Sequence, residues 1–215
     1  MKKTVLFDLD GTIINSEQGI TNCIRYVLDY WEMEHPPQED LLCFIGPPLR
    51  EQFMEVFGWE YDKADYSVIK FRERFDTLGL FECELYPGIQ KLIEDLDKEG
   101  YQVALASSKH EEACGRILQH FHLESHFAGI FGATRDGKIS TKKQVLEIAL
   151  DKLQASKEET ILIGDTRFDV LGAKEAGIDC IGVTYGFGTR EELEAAGAVA
   201  VVDTAEGVRT YLKRV

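Results

Sequence analysis

The apolar run Thr4-Val5-Leu6-Phe7 stops at Asp8-Leu9-Asp10-Gly11-Thr12, and this junction constrains the fold more than any other stretch. The run predicts a short buried strand. A buried strand that ends in two acids and a glycine turn suits a parallel α/β sheet, whose carboxyl edge is where open folds of this kind bind ligands. Alternation along an extended chain predicts that Asp8 and Asp10 share a face. Two acids that close repel unless a cation or a shared proton separates them. A hard cation is the simplest resolution, since Mg²⁺ is typically held by one or two carboxylates plus substrate phosphate. Taken alone, the five residues also suit a solvated turn.

The same design recurs downstream. Ile161-Leu162-Ile163-Gly164-Asp165 is an apolar strand ending in glycine and an acid, with Asp169 four residues on. Val103-Ala104-Leu105-Ala106 ends in Ser107 and Ser108 ahead of an expected helix, where hydroxyls and exposed amides can hold an anion. Lys142 precedes the helical run Val145 to Leu153 and adds a positive charge. Each has an ordinary alternative: a serine caps a helix, and a lysine is mostly solvated. The combination and its order argue against all of them being ordinary.

On these residues the chain resembles the haloacid dehalogenase superfamily, and more narrowly its phosphoglycolate phosphatase-like members, over essentially its whole length. Asp8-Leu9-Asp10-Gly11-Thr12 is similar to the first family motif, Ser107 to the second, Lys142 to the third, and Gly164-Asp165 with Asp169 to the fourth. Lys143 is an alternative to Lys142, because relatives often place proline after the lysine. The resemblance implies that Asp8 is the nucleophile and Asp10 a general acid and base. It implies phosphate contacts from Thr12, Ser107, Ser108 and Lys142. It further implies Mg²⁺ on the side chains of Asp8 and Asp165 and the backbone carbonyl of Asp10, with Asp169 beside the metal. Dehalogenating relatives lack the second acid and need no metal.

Composition fits a soluble enzyme. A chain of 215 residues with 44% hydrophobic content can build one sizeable core plus a small accessory domain. No signal peptide or membrane span is indicated. The five cysteines lack paired spacing, which argues against a disulfide framework or zinc site and makes a reducing cytoplasm the default. A net charge of -14 disfavours nucleic acid as a partner, but a small phosphate ester is compatible because a bound cation and a few lysines dominate the potential inside a cleft.

Strands near 129–131, 161–163, 180–183 and 199–202 alternate with helical stretches, predicting an α/β fold with a doubly wound parallel sheet. Residues 16–84 interrupt that rhythm. They are helix-periodic, with Ile20, Ile24, Val27 and Leu28 on one face and Phe53, Val56 and Phe57 on another. The expected division is a catalytic core of residues 1–15 and 85–215 and a small all-helical cap of residues 16–84, which in the family closes over the site. The aromatics Phe44, Phe53, Phe57, Trp59, Phe71, Phe75 and Phe81 read as the cap's own core. Arg50 is the leading cap candidate for a substrate anion, with a surface salt bridge its ordinary alternative; Arg72 and Lys109 are weaker ones. The five histidines show no spacing tied to the acids. Tyr185-Gly186-Phe187-Gly188-Thr189 reads as a flexible rim loop, with Thr189 capping a short helix. The expected protein is a cytoplasmic, monomeric or homodimeric Mg²⁺-dependent phosphohydrolase of a small phosphorylated metabolite, phosphoglycolate being the family-level choice. A 5'-nucleotidase, a pyrophosphatase and a phosphosugar mutase are the alternatives.

Overall fold

The computed structural model describes residues 2–215. The chain divides into two compact units, residues 1–15 with 85–215 and residues 16–84.

The first unit is built on a six-stranded parallel sheet. In chain order its strands are β1 (Thr4–Phe7), β4 (Gln102–His110), β5 (Gly129–Ala133), β6 (Thr160–Gly164), β7 (Asp179–Val183) and β8 (Ala200–Val202), and they lie side by side as β5-β4-β1-β6-β7-β8. Two more short strands, β2 (Ile14–Asn15) and β3 (Glu84–Leu85), pair separately. Every residue of β1 is buried, as an apolar run in the middle of a parallel sheet should be. Phe7 lies level with Leu105 on one side and Ile163 on the other. Asp8 and Asp165, which follow β1 and β6, and Ser107, two residues beyond Leu105 within β4, therefore lie along one edge.

Helices α5 (Ile89–Lys98), α6 (Glu111–His120), α7 (Lys142–Leu153), α8 (Arg167–Ala176), α9 (Arg190–Ala196) and α10 (Ala205–Leu212) belong to the same unit. Val145, Leu146 and Ala149 of α7 join Val170 and Ala173 of α8 and Leu6, Ala104 and Leu162 of the sheet in one buried cluster. The start of α7 is fixed by a capping box in which Thr141 accepts from the Gln144 amide at 3.3 Å while the Gln144 carboxamide accepts from the Thr141 amide at 3.2 Å, satisfying donors that a helix start leaves bare. Thr189 caps α9 in the same way, as its sequence position suggests.

The second unit is helical: α1 (Glu17–Tyr30), α2 (Gln38–Leu41), α3 (Leu49–Phe57) and α4 (Tyr61–Phe75). Ile20, Ile24, Val27 and Leu28 of α1 are all buried. Phe44, Phe53, Trp59, Phe71 and Phe75 are buried with them. Phe53 and Trp59 stack at 5.2 Å, and Phe57 and Trp59 at 5.0 Å. Val56 departs from the expected face and is 41% exposed, because Phe53 and Phe57, four apart, take the inward line of a nine-residue helix. The Trp31 indole donates to Ser67 Oγ at 2.9 Å, so its one polar atom is satisfied within the unit. Among the described residues, no helix is long and apolar enough to cross a membrane.

Two sequence expectations about chain path are corrected. Strand β4 does not end at Ser107-Ser108 but continues to His110, with an irregular register between Ala106 and His110, so Lys109 lies on the strand and not in a helix-entry loop. The extended strand assumed to run through Asp8 and Asp10 is also absent. Strand β1 stops at Phe7, Asp10 bridges to Ile14, and Gly11 turns the chain at φ 80°, a conformation that suits glycine.

Helix α8 approaches α7 at Gly172, where a Cβ would lie 2.7 Å from Lys142 Cβ and 2.6 Å from its Cγ. Those atoms sit close to the backbone and cannot step aside. A Gly172→Val substitution is expected to cost roughly 1–3 kcal/mol, the usual range for overpacking, which a shift of the urea unfolding midpoint at unchanged m-value measures.

Candidate active site

Three carboxylates and a lysine meet at the edge of β1 and β6. Asp8 follows β1 directly, and its amide donates to the Ile163 carbonyl at 2.9 Å. Asp165 follows β6, and Asp169 sits in the first turn of α8. One oxygen from each of these three acids lies within 4.8 Å of the others. Lys142, the first residue of α7, places Nζ 2.8 Å from Asp8 Oδ1 and 2.8 Å from Asp169 Oδ1, and donates to the Ala106 carbonyl at 3.1 Å. The other oxygen of Asp169 accepts from the Thr166 amide at 3.1 Å and the Thr166 hydroxyl at 2.9 Å. Both oxygens of Asp169 are thus engaged. Lys143 points elsewhere, with Glu147 at 3.9 Å.

Asp165 is fully buried and held by backbone. Its Oδ2 accepts from the Phe187 amide at 2.8 Å and its Oδ1 from the Thr12 hydroxyl at 3.3 Å. The glycine-rich segment read as a flexible rim therefore forms part of the wall around this acid. A Cβ at Gly11 would overlap the Asp165 carboxyl group, and one at Gly186 would meet both the Gly11 carbonyl and Asp165, so close backbone approach demands glycine at both. The Tyr185 hydroxyl donates to the Thr12 carbonyl at 3.1 Å, and its ring packs on Tyr86 at 4.8 Å. Thr12 is itself buried and its hydroxyl is directed to Asp165.

Asp10 stands apart from the three-acid group. Both of its oxygens accept from Lys109 Nζ, each at 2.8 Å. Reasoning from sequence treated Lys109 as a weak substrate contact; the strand extension that brings it to Asp10 has no signature in residue type. Ser107 is buried beside Asp8, and its Oγ accepts from the Lys109 amide at 3.3 Å, whereas Ser108 is exposed. In the helical unit, Arg50 is paired with Asp65 at 2.8 Å through Nε and 2.6 Å through Nη2, and lies over the Tyr61 ring. The salt-bridge alternative for Arg50 is the one observed. Arg72 lies exposed on α4. His35 and His126 pair with Asp29 and Asp97, outside the acidic group.

The electrostatics show strain that a cation would relieve. Burial pushes the Asp8 carboxyl up from 3.8 to about 6, with Lys142 opposing and Asp169 adding repulsion. Burial, followed by the charges of Asp169 and Asp8, also holds Asp165 well above the carboxylate range, against the donation from Phe187. Burial works against the Lys142 ammonium, but Asp169 and Asp8 outweigh it and keep its proton bound above the ordinary lysine range. Counted formally, Asp8, Asp10, Asp165 and Asp169 against Lys109 and Lys142 are four acids and two bases, leaving two negative charges when all are ionised. An all-oxygen donor set with excess negative charge suits a hard divalent cation.

Comparison with known proteins agrees with this arrangement. The family model described as "Haloacid dehalogenase-like hydrolase" matches residues 5–183. A 5'-nucleotidase from Pseudomonas aeruginosa is 38% identical over 191 residues, covering 89% of this chain and 86% of that protein. The pyrophosphatase PpaX from Bacillus mycoides is 28% identical over 213 residues, covering 99% and 97%. A crystal structure from Clostridium acetobutylicum, described as a "predicted phosphatase", superposes with a TM-score of 0.94 at 36% identity and full coverage of both chains. With four acids and two lysines gathered along one sheet edge and these matches spanning nearly its whole length, the chain belongs to the haloacid dehalogenase-like hydrolases and is a phosphatase of that superfamily.

Proposed function

We propose that the protein is an Mg²⁺-dependent phosphohydrolase acting on a small phosphomonoester through an aspartyl phosphate on Asp8, with the helical unit serving as its cap. The observation that carries this reading is the separation of two acids with different surroundings. Asp8 faces Lys142 and the buried acids, while Asp10 is held apart by Lys109. These different surroundings support a nucleophilic role for Asp8 and a proton-transfer role for Asp10.

In this mechanism an Asp8 oxygen attacks phosphorus as the bond to the leaving oxygen breaks, dividing one difficult displacement into two easier ones. Asp10 gives its proton to the leaving oxygen. It then takes a proton from the water that attacks the aspartyl phosphate and frees Asp8. Lys142 and Ser107 stabilise charge on the phosphoryl oxygens, where catalysis of phosphoryl transfer is mostly positioning and electrostatics. Asp8 and Asp165, with the Asp10 carbonyl, would hold Mg²⁺, which when bound offsets the repulsion between a carboxylate and a dianionic ester. Asp169 has both oxygens engaged and orients Lys142. Thr12 orients Asp165, and Ser108 remains the exposed phosphate contact on β4.

A nucleoside 5'-monophosphate is the substrate class we favour. The 38% identical relative named 5'-nucleotidase supports it. Phosphoglycolate needs a cation for its carboxylate, and Arg50, the residue expected to supply one, is already paired with Asp65. Phosphate release from nucleoside monophosphates, phosphoglycolate, sugar phosphates and pyrophosphate, each with Mg²⁺ and with chelator, tests the reading. We expect Mg²⁺-dependent release that is greatest with nucleoside monophosphates. A sugar phosphate isomer formed without inorganic phosphate would identify a mutase instead.

Asp8→Asn should abolish turnover while stabilising the metal-free protein at neutral pH. A group whose pKa is raised on folding stabilises fully below its unfolded value, near 3.8, and loses that contribution as pH rises through about 6. Two units correspond to on the order of 2–3 kcal/mol. Melting temperatures in chelator should therefore show a gap between variant and parent that is wide at pH 7.5 and closes toward pH 4. Asp10→Asn is expected to slow hydrolysis of alkyl phosphates by ~10²–10⁴ while leaving Mg²⁺ affinity, read by calorimetric titration, within about threefold.

A further inference from the structure

We infer that Lys109 is a positioning residue for Asp10, holding its carboxyl group in the orientation that both proton transfers need. The inference rests on the role proposed above for Asp10 and adds to it the group that makes that role possible.

Three features support it. The ion pair is two-pronged and secluded: Nζ is 2.8 Å from each Asp10 oxygen, with 10% of the lysine side chain and 17% of the acid exposed. A charge-assisted contact to both oxygens fixes the plane of the carboxyl group as well as its position. The lysine's backbone is also held on both sides. Its amide donates to Ser107 Oγ at 3.3 Å, and its carbonyl receives the Cys114 thiol at 3.7 Å. Strand β5 comes so close here that a Cβ on Gly132 would lie 2.6 Å from the Lys109 carbonyl oxygen. Finally, the irregular register of β4 between Ala106 and His110 carries the strand past the serines, and irregularities of this kind re-aim side chains near active sites.

Asp10 is not itself in a regular strand, because it lies beyond β1 and just before the Gly11 turn, and it is a β4 residue, Lys109, that holds its side chain. Without the lysine its carboxyl group would sample several rotamers, and only some reach the leaving oxygen. With the ammonium retained on one oxygen, the other carries the proton to the leaving group and later receives one from water. Lys142 cannot substitute, since it is already shared between Asp8 and Asp169.

Lys109→Met, Lys109→Arg, Asp10→Asn and the double variant Asp10→Asn/Lys109→Met test this with p-nitrophenyl phosphate, whose leaving group needs no proton, and with an alkyl phosphomonoester, whose leaving group does. We expect Lys109→Met to lower kcat on the alkyl ester at least tenfold with KM within about twofold. Its loss on p-nitrophenyl phosphate should be smaller, and Lys109→Arg should restore most of the rate. In the Asp10→Asn background, adding Lys109→Met should change kcat on p-nitrophenyl phosphate less than twofold. Equal losses on both substrates, a KM effect that persists in the double variant, or an unimpaired Lys109→Met would overturn the inference. Should Lys109→Met not fold, failure of Lys109→Gln to show the same substrate dependence overturns it. An unimpaired Asp10→Asn would instead refute the role assigned to Asp10, which keeps the two failures distinct.

Discussion

The site depends on one buried ammonium between two buried acids. Lys142 has 6% of its side chain exposed and sits 2.8 Å from both Asp8 and Asp169. Ions taken out of water are costly unless each is paired, so the position of this one group ties α7 to α8 and to the end of β1. The surrounding structure follows from that need. Gly172 lacks a side chain so that the lysine stem can pass, and the Thr141–Gln144 capping box starts α7 at the residue that must enter the site. Thr166 holds the second oxygen of Asp169 so that the first faces the lysine.

Asp165 follows a different principle. Backbone and a neutral hydroxyl hold it in place, with no cation at hydrogen-bond distance among the described residues. The chain wraps it so tightly that side chains are absent at Gly11 and Gly186. Such a group raises the free energy of the metal-free fold, a familiar consequence of building a site for function ahead of stability. In the Mg²⁺ complex proposed above, a divalent cation would reverse the sign by supplying the charge that the protein leaves out. On the Mg²⁺-dependent reading proposed above, folding and metal binding would be coupled.

Much of this was legible in the chain because the chemistry demands uncommon residue types at strand ends. Acids after β1 and β6 and hydroxyls after Ala106 break an apolar pattern where packing would not ask for it, and the order of these breaks marks the edge of the sheet. The aromatic core of the helical unit was legible from helix periodicity, apart from Val56, where a side chain of the right type sits one position off the buried line. What depended on backbone shape was not. The extension of β4 to His110 leaves no trace in composition, so the partnership of Lys109 with Asp10 could not be anticipated. Glycine in Tyr185-Gly186-Phe187-Gly188 suggests mobility, yet there it serves close approach. Arg50 carried a binding role on charge alone, and its pairing with Asp65 was not readable from residue type.

The two lysines show why charge count and charge placement are separate matters. Lys142 reaches the site from a helix start and is shared between two acids, so removing it strands both in a buried environment. Lys109 comes from an irregular strand and serves a single acid that keeps 17% of its side chain exposed, where water can partly replace a lost partner. The first therefore supports the architecture of the whole edge, whereas the second acts on one carboxyl group. In the proposed mechanism the nucleophile stays fixed while the proton carrier changes state twice per turnover, and each acid has its own cation: Lys109 comes from β4, and Lys142 from the start of α7, where it also donates to the β4 carbonyl of Ala106.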